Sequence, residues 1–299
     1  MSSWISLAIG SYILNAVGGV TDKLILSKSK GLGSPLAYAF YTALTSLLVV
    51  VLIPFGVTFL PTSVLIIALF SGATFAVALF FYFTAIEKSS VSRILPIEGG
   101  FIPVLTLLCS MLFLHERLTN VQYLAFALLV IGAVIISIKK ESKQYHPVAL
   151  TWSIIAAIFF ALSFTSLKFV YSQSNFITGL FWTRLGLAGL PLVLLLSTKA
   201  RRLIFTTAAS SSTGNKWVFF TSKTISGIAT ILENLAISIG SVALVKALQG
   251  TQYIFLLLLT SVLSVYFPKI LKEHITLPIV LQKIGAIVLI SIGLGLLVI

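Results

Sequence analysis

The sequence predicts an all-α integral membrane protein with ten transmembrane helices in two five-helix halves, which form an inverted repeat around a central cavity. Three observations lead to this fold class. Hydrophobic residues make up 58% of the chain and charged residues only 9%, whereas a soluble domain carries about 25% charged residues. Apolar runs of about 20 residues, the length that crosses a bilayer, follow one another with short connections. Segments of the first half also recur in the second half.

The apolar runs define ten candidate spans in one membrane domain. The longest connection, around residues 199–216, contains KARRLIFTTAASSSTGNK and is typical of a flexible surface loop. The single cysteine, Cys109, lies inside an apolar run and excludes an internal disulfide. The spans are predicted at residues 4–26, 34–55, 62–86, 91–113, 119–138, 147–170, 175–197, 216–239, 242–267 and 276–298.

The two halves, residues 1–141 and 142–299, are predicted to repeat each other. Glu98-Gly99 in the first half aligns with Gln249-Gly250 in the second. Because each half has five spans, an odd number, the second half must lie upside down relative to the first. Inverted repeats with polar, glycine- or proline-interrupted helices in matching places are typical of secondary transporters.

The net charge of +13 is explained by membrane topology and contact with anionic lipid, and does not indicate a nucleic-acid partner. Basic residues concentrate in the loops after the first, third, fifth, seventh and ninth spans. The positive-inside rule places these loops in the cytoplasm. We therefore expect a multi-pass protein of the cell inner (plasma) membrane with both termini on the non-cytoplasmic side. The basic residues are Lys28, Lys30, Lys88, Arg93, Lys139, Lys140, Lys143, Lys199, Arg201, Arg202, Lys216, Lys269 and Lys272.

A string of residues closes the fourth span and suggests a family. It runs Ala85, Ser90-Val91, Pro96, Pro103, Glu116-Arg117, and continues with Leu118-Thr119 and Gln122. Together with the two five-span halves, this string resembles the drug/metabolite transporter superfamily, in particular its ten-span EamA-like members, over nearly the whole chain. The resemblance implies a carrier of small metabolites, often an exporter of amino acids or related compounds, that works by alternating access.

Ionisable residues inside the spans are the first functional candidates, because a charge at a helix centre costs roughly 2.5–3.5 kcal/mol to insert. We single out five of them: Glu98, Arg184, Lys223, Glu233 and Lys246. At about 1.5 Å per residue, Glu98 and Lys223 lie level below one face, and Arg184 and Glu233 lie level below the other. The depths therefore predict the pairs Glu98–Lys223 and Arg184–Glu233. Lys246 joins the second pair or snorkels outward, and a Glu98–Lys246 pair is rejected because inversion separates the two residues.

Glu98 is the leading candidate for substrate binding or coupling, because Gly99 and Gly100 follow it and glycines permit close approach. Its carboxylate could bind a substrate ammonium or take up a proton. Gln249 would be its neutral counterpart in the second half. Weaker candidates for the cavity wall are the aromatic residues Tyr82, Tyr253 and Trp182 and the amide Asn234, although aromatic residues in spans more often serve packing.

Two functions follow from these residues. The first is a secondary carrier of a small-molecule substrate, with proton coupling through Glu98. Three intramembrane cations against two carboxylates favour anionic or zwitterionic substrates. The alternative is a non-transporting membrane scaffold or sensor whose charge pairs are structural. The sequence carries no phosphate loop, zinc-ligand spacing or membrane-protease motif, so neither an enzyme nor a metal or other cofactor is predicted.

Overall fold

Helices connected by short loops make up the computed structural model, which describes residues 3–28, 35–88, 91–138, 147–209, 213–266 and 277–298. No strand occurs within these ranges, and the all-α prediction is confirmed for them. The elements are α1 (Ser3–Lys28), α2 (Pro35–Leu44), a 3-10 helix η1 (Thr45–Phe55), α3 (Thr62–Lys88), α4 (Val91–Phe113), α5 (Asn120–Ser137), α6 (Pro147–Gln173), α7 (Phe176–Leu194), α8 (Thr198–Ala209), α9 (Thr213–Ile239), α10 (Val242–Ala247), α11 (Gly250–Tyr266) and α12 (Leu277–Val298).

Six helical segments within the described residues are long and apolar enough to cross a membrane. Three shorter apolar stretches coincide with the first, second and fourth predicted spans. The ten spans and the inverted repeat stay predictions. The six segments are Thr62–Ile86, Asn120–Ser137, Val148–Gln173, Phe176–Leu194, Val242–Leu259 and Ile279–Val298, and the shorter ones are Ser3–Gly18, Ala39–Phe55 and Ile97–Phe113.

One prediction about the connections is wrong. The predicted flexible loop after the seventh span contains the helix α8, which occupies residues 198–209. Three residues separate it from the end of α7, and the backbone N–H of Arg201 donates to the carbonyl of Ser197 at 2.9 Å. The basic and apolar residues of this segment are therefore held in a helical arrangement.

Local side-chain bonds fix where several helices begin. Thr119 caps α5: its hydroxyl accepts from the N–H of Gln122 at 3.3 Å, and the Gln122 side chain accepts from the N–H of Thr119 at 2.9 Å. This reciprocal pair is a capping box. The family-like residues Thr119 and Gln122 thus have a local structural role, which is to start α5 immediately after the Glu116-Arg117 corner.

The ninth predicted span is broken. Ser241 caps the six-residue α10 by accepting from the N–H of Leu244 at 3.2 Å. After α10 the spacing of the backbone hydrogen bonds shortens to three residues. The N–H of Gln249 donates to the carbonyl of Lys246, and the N–H of Thr251 donates to the carbonyl of Leu248. Such three-residue bonds are typical of a 3-10 turn. The matching α4, which carries Glu98, runs through from Val91 to Phe113 without interruption.

The helices pack in pairs that cross between the halves. Helix α3 lies against α6 and α7, α1 against α9 and α11, α4 against α5, α6 and α10, and α5 against α12. Close contacts show how α1 and α9 run relative to each other. Gly18 faces Ser226, whereas Trp4 faces Gly240, so α1 and α9 run antiparallel. The first and second halves of the chain are therefore joined along several helices and do not form separate bundles.

Two glycines bring the backbones of α3 and α7 into direct contact. A methyl group added at Gly72 would lie 2.1 Å from the carbonyl oxygen of Thr183, and one added at Gly186 would lie 2.5 Å from that of Leu69. Both obstacles are backbone atoms, so no side-chain movement would relieve the clash. Small residues allow membrane helices to approach in this way, and the two helices form one closely packed wall.

Gly186→Ala is expected to destabilise the protein by about 1–3 kcal/mol, as overpacking does, because the new methyl group must push α3 and α7 apart. Gly189 on the same helix has no atom within 4 Å of an added methyl group. Gly189→Ala should therefore leave the thermal unfolding midpoint unchanged or raise it slightly, since alanine favours helix over glycine by about 1 kcal/mol. Thermal unfolding of both variants in detergent checks this, and equal midpoints would contradict the packing argument.

Candidate functional site

A cavity of about 50 Å³ lies between α3, α6, α7 and α9. Phe75, Phe164, Leu167 and Leu187 form its apolar wall. The polar wall contains two charged residues, Arg184 and Glu233, and several hydroxyl and amide side chains. These are Ser71, Ser163, Thr183, Thr230 and Asn234. Convergent polar groups in a concave cavity are a usual feature of small-molecule sites, and here seven of the twelve lining residues are polar or charged.

The hydroxyl groups around the cavity share one property: each donates its proton to a backbone carbonyl. Ser71 and Ser163 donate to each other's carbonyls at 2.9 and 2.8 Å. Thr183 donates to Gly179 at 2.8 Å and Thr230 to Ser226 at 2.7 Å. Because their protons are used, these hydroxyls can offer only lone pairs to a ligand.

Asn234 is fixed in the same wall. Its amide nitrogen donates to the carbonyl of Thr230 at 2.7 Å, and its oxygen accepts from the hydroxyl of Tyr171 at 2.8 Å. The side chain is 4% exposed. The weaker prediction that Asn234 lines the cavity therefore agrees with its position.

Lys246 and Glu233 form a buried ion pair beside the cavity. Lys246 Nζ lies 2.7 Å from Glu233 Oε1, and the two side chains are 6% and 13% exposed. The ammonium also lies 3.9 Å from the centre of the Phe164 ring, which is a favourable cation–π position. The Tyr12 hydroxyl donates to the carbonyl of Val245 at 2.8 Å and lies 3.3 Å from Glu233 Oε1. Helices α1, α6, α9 and α10 meet at this pair.

The structure selects one predicted alternative and contradicts two predicted pairs. Lys246 joins Glu233, which is one of the two alternatives predicted for Lys246, whereas Arg184 acts on Glu233 only at longer range. Glu98 forms no ion pair among the described residues, and the cation whose charge acts on it is Lys246, the residue rejected on depth. The predicted Glu98–Lys223 pair is therefore not formed in the described part of the chain.

Glu98 is 6% exposed and lies where α4, α5 and α11 meet. A methyl group added at Gly99 would lie 2.8 Å from the Tyr253 ring, and one added at Gly250 would lie 3.0 Å from the Cβ of Ala133. The aligned Gly99 and Gly250 thus both pack against the same turn of α5. Gly100 similarly faces Val134, at 2.9 Å. These glycines admit neighbouring helices, and they are not among the residues that line the cavity.

Gln249 and Tyr253 lie beside Glu98. The Gln249 amide donates to the Tyr253 hydroxyl at 3.4 Å, and the Tyr253 hydroxyl interacts electrostatically with Glu98. The side-chain oxygen of Gln249 is buried and has no hydrogen-bond partner among the described residues. The predicted repeat counterparts Glu98 and Gln249 are therefore brought to one place, next to the ion pair.

Two other predicted wall residues lie outside the cavity lining. Trp182 donates from Nε1 to the carbonyl of Thr58 at 3.0 Å, and its ring packs at a tilt against Phe59 and edge-on against Phe181. Tyr82 packs in the aromatic cluster around Phe160. Both are packing residues, which is the more usual role of aromatic side chains in spans.

Sequence reasoning missed Lys168. Its ammonium donates to the carbonyls of Ile237, Ser238 and Gly240 at 2.9, 3.1 and 2.8 Å, and it thereby caps the carboxyl end of α9 from α6. A cation is favourable at this end of a helix. The signal was present, since Lys168 is an ionisable residue inside the predicted sixth span, close to its end.

Among the described residues that line the cavity, Arg184 is the cation that remains for a ligand. Lys246 is paired with Glu233 and Lys168 bonds three carbonyls. The Arg184 side chain is half-buried, lines the cavity, and has no ion pair or hydrogen bond with any other residue that the structure describes. Its guanidinium therefore offers an array of unused donors to the cavity.

Comparison with known proteins agrees with this architecture. Residues 2–138 match the family model of the EamA-like transporter family. The first half of the chain is EamA-like. This confirms the resemblance to the drug/metabolite transporter superfamily that was predicted from the sequence, and members of the EamA-like family are membrane transporters of small molecules. Glu273-His274, which resembles the Glu116-Arg117 corner in the sequence of the second half, lies outside the described residues.

The fold extends beyond the matched half. A solved structure described only as a crystal structure of a protein is 14% identical to this chain, with a TM-score of 0.64, over 99% of this chain and 96% of that one. At this identity the likeness concerns the fold. No curated protein matches the chain. The chain is thus a multi-pass membrane protein whose overall fold is similar to that of a solved structure.

Removing one member of the ion pair should destabilise the protein strongly. Lys246→Met or Glu233→Gln alone leaves a buried charge unpaired, at a cost of about 3–5 kcal/mol. The double variant should cost less than the sum of the two single changes, because no unpaired charge remains. Thermal unfolding of the four proteins in one detergent measures the coupling. Additive effects would show that the two charges do not stabilise each other.

Proposed function

We propose that the chain is a secondary transporter whose substrate binds in the cavity between α3, α6, α7 and α9 and is exposed alternately to each side of the membrane. The observation that carries the proposal is Arg184. A guanidinium that has no partner among the described residues and faces a cavity within the membrane needs an anion to compensate its charge, and a substrate can supply one.

The chemistry of the wall favours a small zwitterion or anion, such as an amino-acid-like compound. The Arg184 fork suits a carboxylate, which it can bind through two parallel hydrogen bonds. The cavity also contains groups that can bind a cation. Glu233 lines it, and the four hydroxyl groups can only accept hydrogen bonds. A substrate ammonium would find acceptors there. A small zwitterion fits both parts of the wall, because its carboxylate can bind Arg184 and its ammonium can bind Glu233 and the hydroxyl acceptors.

Arg184→Gln is expected to abolish ligand binding, because glutamine provides neither the charge nor the fork. The purified protein is first screened by thermal shift against amino acids and other small carboxylates, since a ligand at about 100 times its Kd stabilises the native state by about 2.7 kcal/mol. Arg184→Lys should keep part of the shift. The control is Arg117→Gln at the exposed corner after α4. An unchanged shift in Arg184→Gln would remove Arg184 from the binding site.

The proposed architecture has ten spans in two halves, residues 1–141 and 142–299, related by an inverted repeat. The helix contacts support it, because they are reciprocal. The third segment packs on the sixth (α3 on α6), and the first packs on the eighth (α1 on α9). The fourth packs on the sixth (α4 on α6), and the first packs on the ninth (α1 on α11). Each contact is the counterpart of the other under exchange of the two halves.

One contact breaks this reciprocity, and it suggests how access is controlled. Helices α3 and α7 touch through Gly72 and Gly186. Their counterparts in the exchanged halves, α9 and α2, make no comparable contact within the described residues. In an alternating-access cycle the closed contact would open as its counterpart closes. We further propose export from the cytoplasm across the cell inner membrane, with non-cytoplasmic termini, on the basis of the basic loops and the family.

Proton coupling is proposed to act through Glu98. The carboxylate is buried, lies within the electrostatic influence of Lys246, and shares that cation with Glu233. Protonation of Glu98 would change the charge balance around Lys246 without breaking the 2.7 Å ion pair.

Glu98→Gln should therefore retain substrate exchange in proteoliposomes but lose the dependence of uptake on a pH gradient, because the amide cannot take up a proton. Glu116→Gln, at the corner after α4, is the matched control and should keep that dependence. Transport by Glu98→Gln with the pH dependence of the unmodified protein would exclude Glu98 from coupling.

The alternative of a non-transporting scaffold or sensor is favoured by one observation. The Glu233–Lys246 pair is complete within the protein, and the cavity is only about 50 Å³. This alternative predicts that no compound in the screen raises the unfolding midpoint and that proteoliposomes show no exchange.

A further inference from the structure

Helix α8 lies beside the end of a predicted span but is itself too short to be one. It has 12 residues and begins at Thr198, with three residues between it and the end of α7 at Leu194. The position of α7 therefore places α8 at the boundary of the bilayer. Near the start of the following helix α9, the side chain of Trp217 is 71% exposed. Exposed tryptophan is typical of the membrane–water interface.

The large apolar side chains of α8 lie around Ile204. Ile204 is 0% exposed, and its carbonyl accepts from the Tyr41 hydroxyl of α2 at 3.4 Å. At 3.6 residues per turn, Leu203 and Phe205 lie about 100° to either side of Ile204, and Arg202 lies about 160° from it. Leu203 and Phe205 are 44% and 55% exposed. Arg201, three residues before Ile204, lies about 60° from it on the side of Phe205. The arc around Ile204 is thus apolar apart from this exposed cation, and it is only partly covered by protein.

The charge of α8 is uncompensated. Lys199, Arg201 and Arg202 are exposed, and the helix contains no acidic residue. None of the three has an ion-pair partner in the part of the chain that the structure describes. Three cations next to a half-covered apolar arc form an amphipathic surface, the arrangement with which interfacial helices bind anionic membranes.

We propose that α8 is an interfacial helix that inserts Leu203 and Phe205 between lipid chains and binds the phosphate groups of anionic lipids through Lys199, Arg201 and Arg202. A lipid surface is favoured over a protein partner because the helix lies at the bilayer boundary in any case and its charge complements anionic headgroups. The contact of Ile204 with Tyr41 joins the bound lipid to α2, the helix that packs on α3 and α7. The inference does not depend on the proposed substrate.

Site-directed spin labelling tests the insertion. Cys109 is the single cysteine of the chain, so Cys109→Ala gives a cysteine-free background in one step, to be checked by thermal unfolding. Labels are placed at Phe205→Cys and, as the matched control, at Thr206→Cys, and the protein is reconstituted into nanodiscs of phosphatidylcholine and phosphatidylglycerol. The label at 205 should be relaxed mainly by oxygen and that at 206 mainly by a water-soluble nickel chelate.

Equal access of the nickel chelate to both labels would overturn the insertion, and so would an immobilised label at 206, which would indicate a second copy or another protein on this face. A label at Leu203→Cys provides an independent position on the other flank of Ile204 and should behave as the label at 205 does.

Lipid selectivity tests the charge. The relative affinity for spin-labelled phosphatidylglycerol over phosphatidylcholine should fall at least about fivefold in the triple variant Lys199→Gln, Arg201→Gln, Arg202→Gln, since each basic residue near an anionic surface contributes about that factor. Arg202→Gln alone should reduce it more than Arg117→Gln, the exposed control at the corner after α4. Unchanged selectivity in the triple variant would overturn the proposal.

Discussion

The ion pair between Lys246 and Glu233 is the contact on which the arrangement of the other charges depends. Lys246 lies in α10, which follows α9 after a short turn, and its ammonium lies 2.7 Å from the Glu233 carboxylate of α9. Tyr12 from α1 and Phe164 from α6 complete its surroundings. Because Lys246 is paired with Glu233, Arg184 is the described lining residue whose positive charge can serve a ligand. Glu98 interacts with Lys246, a cation that already has a partner.

Polar and small residues have separate tasks in this structure. Glycine contacts hold α3 to α7, and α4 and α11 to α5. At these glycines the backbone of one helix packs directly against the backbone or a side chain of the next. The cavity, in contrast, is lined by hydroxyls that donate to their own or neighbouring backbones. Each hydroxyl is satisfied without a ligand, and the wall is stable when the cavity holds none. The unused donors of Arg184 then distinguish a ligand with an anionic group from one without.

Sequence reasoning located the all-helical class, the family and most of the ionisable residues that cluster near the cavity, because apolar runs and embedded charges are visible one residue at a time. It offered Lys246 as a member of the Arg184–Glu233 pair, but it did not predict which cation touches Glu233, and it rejected Lys246 for Glu98. Counting residues from a span end gives only the depth of a residue, and it does not show which neighbouring helix the side chain faces. It also missed α8, whose charges and serine-rich end are typical of a loop, and Lys168, whose partners are carbonyls with no sequence signature.

The ion pair also bears on how the chain enters the membrane. Glu233 and Lys246 are 13 residues apart, on consecutive helices, α9 and α10. Each charge inserted alone would cost roughly 2.5–3.5 kcal/mol. Because the two helices follow one another in synthesis, they can leave the translocation machinery as a hairpin whose charges already neutralise each other. The second half of the protein therefore does not need the first half in place to lower its cost of insertion.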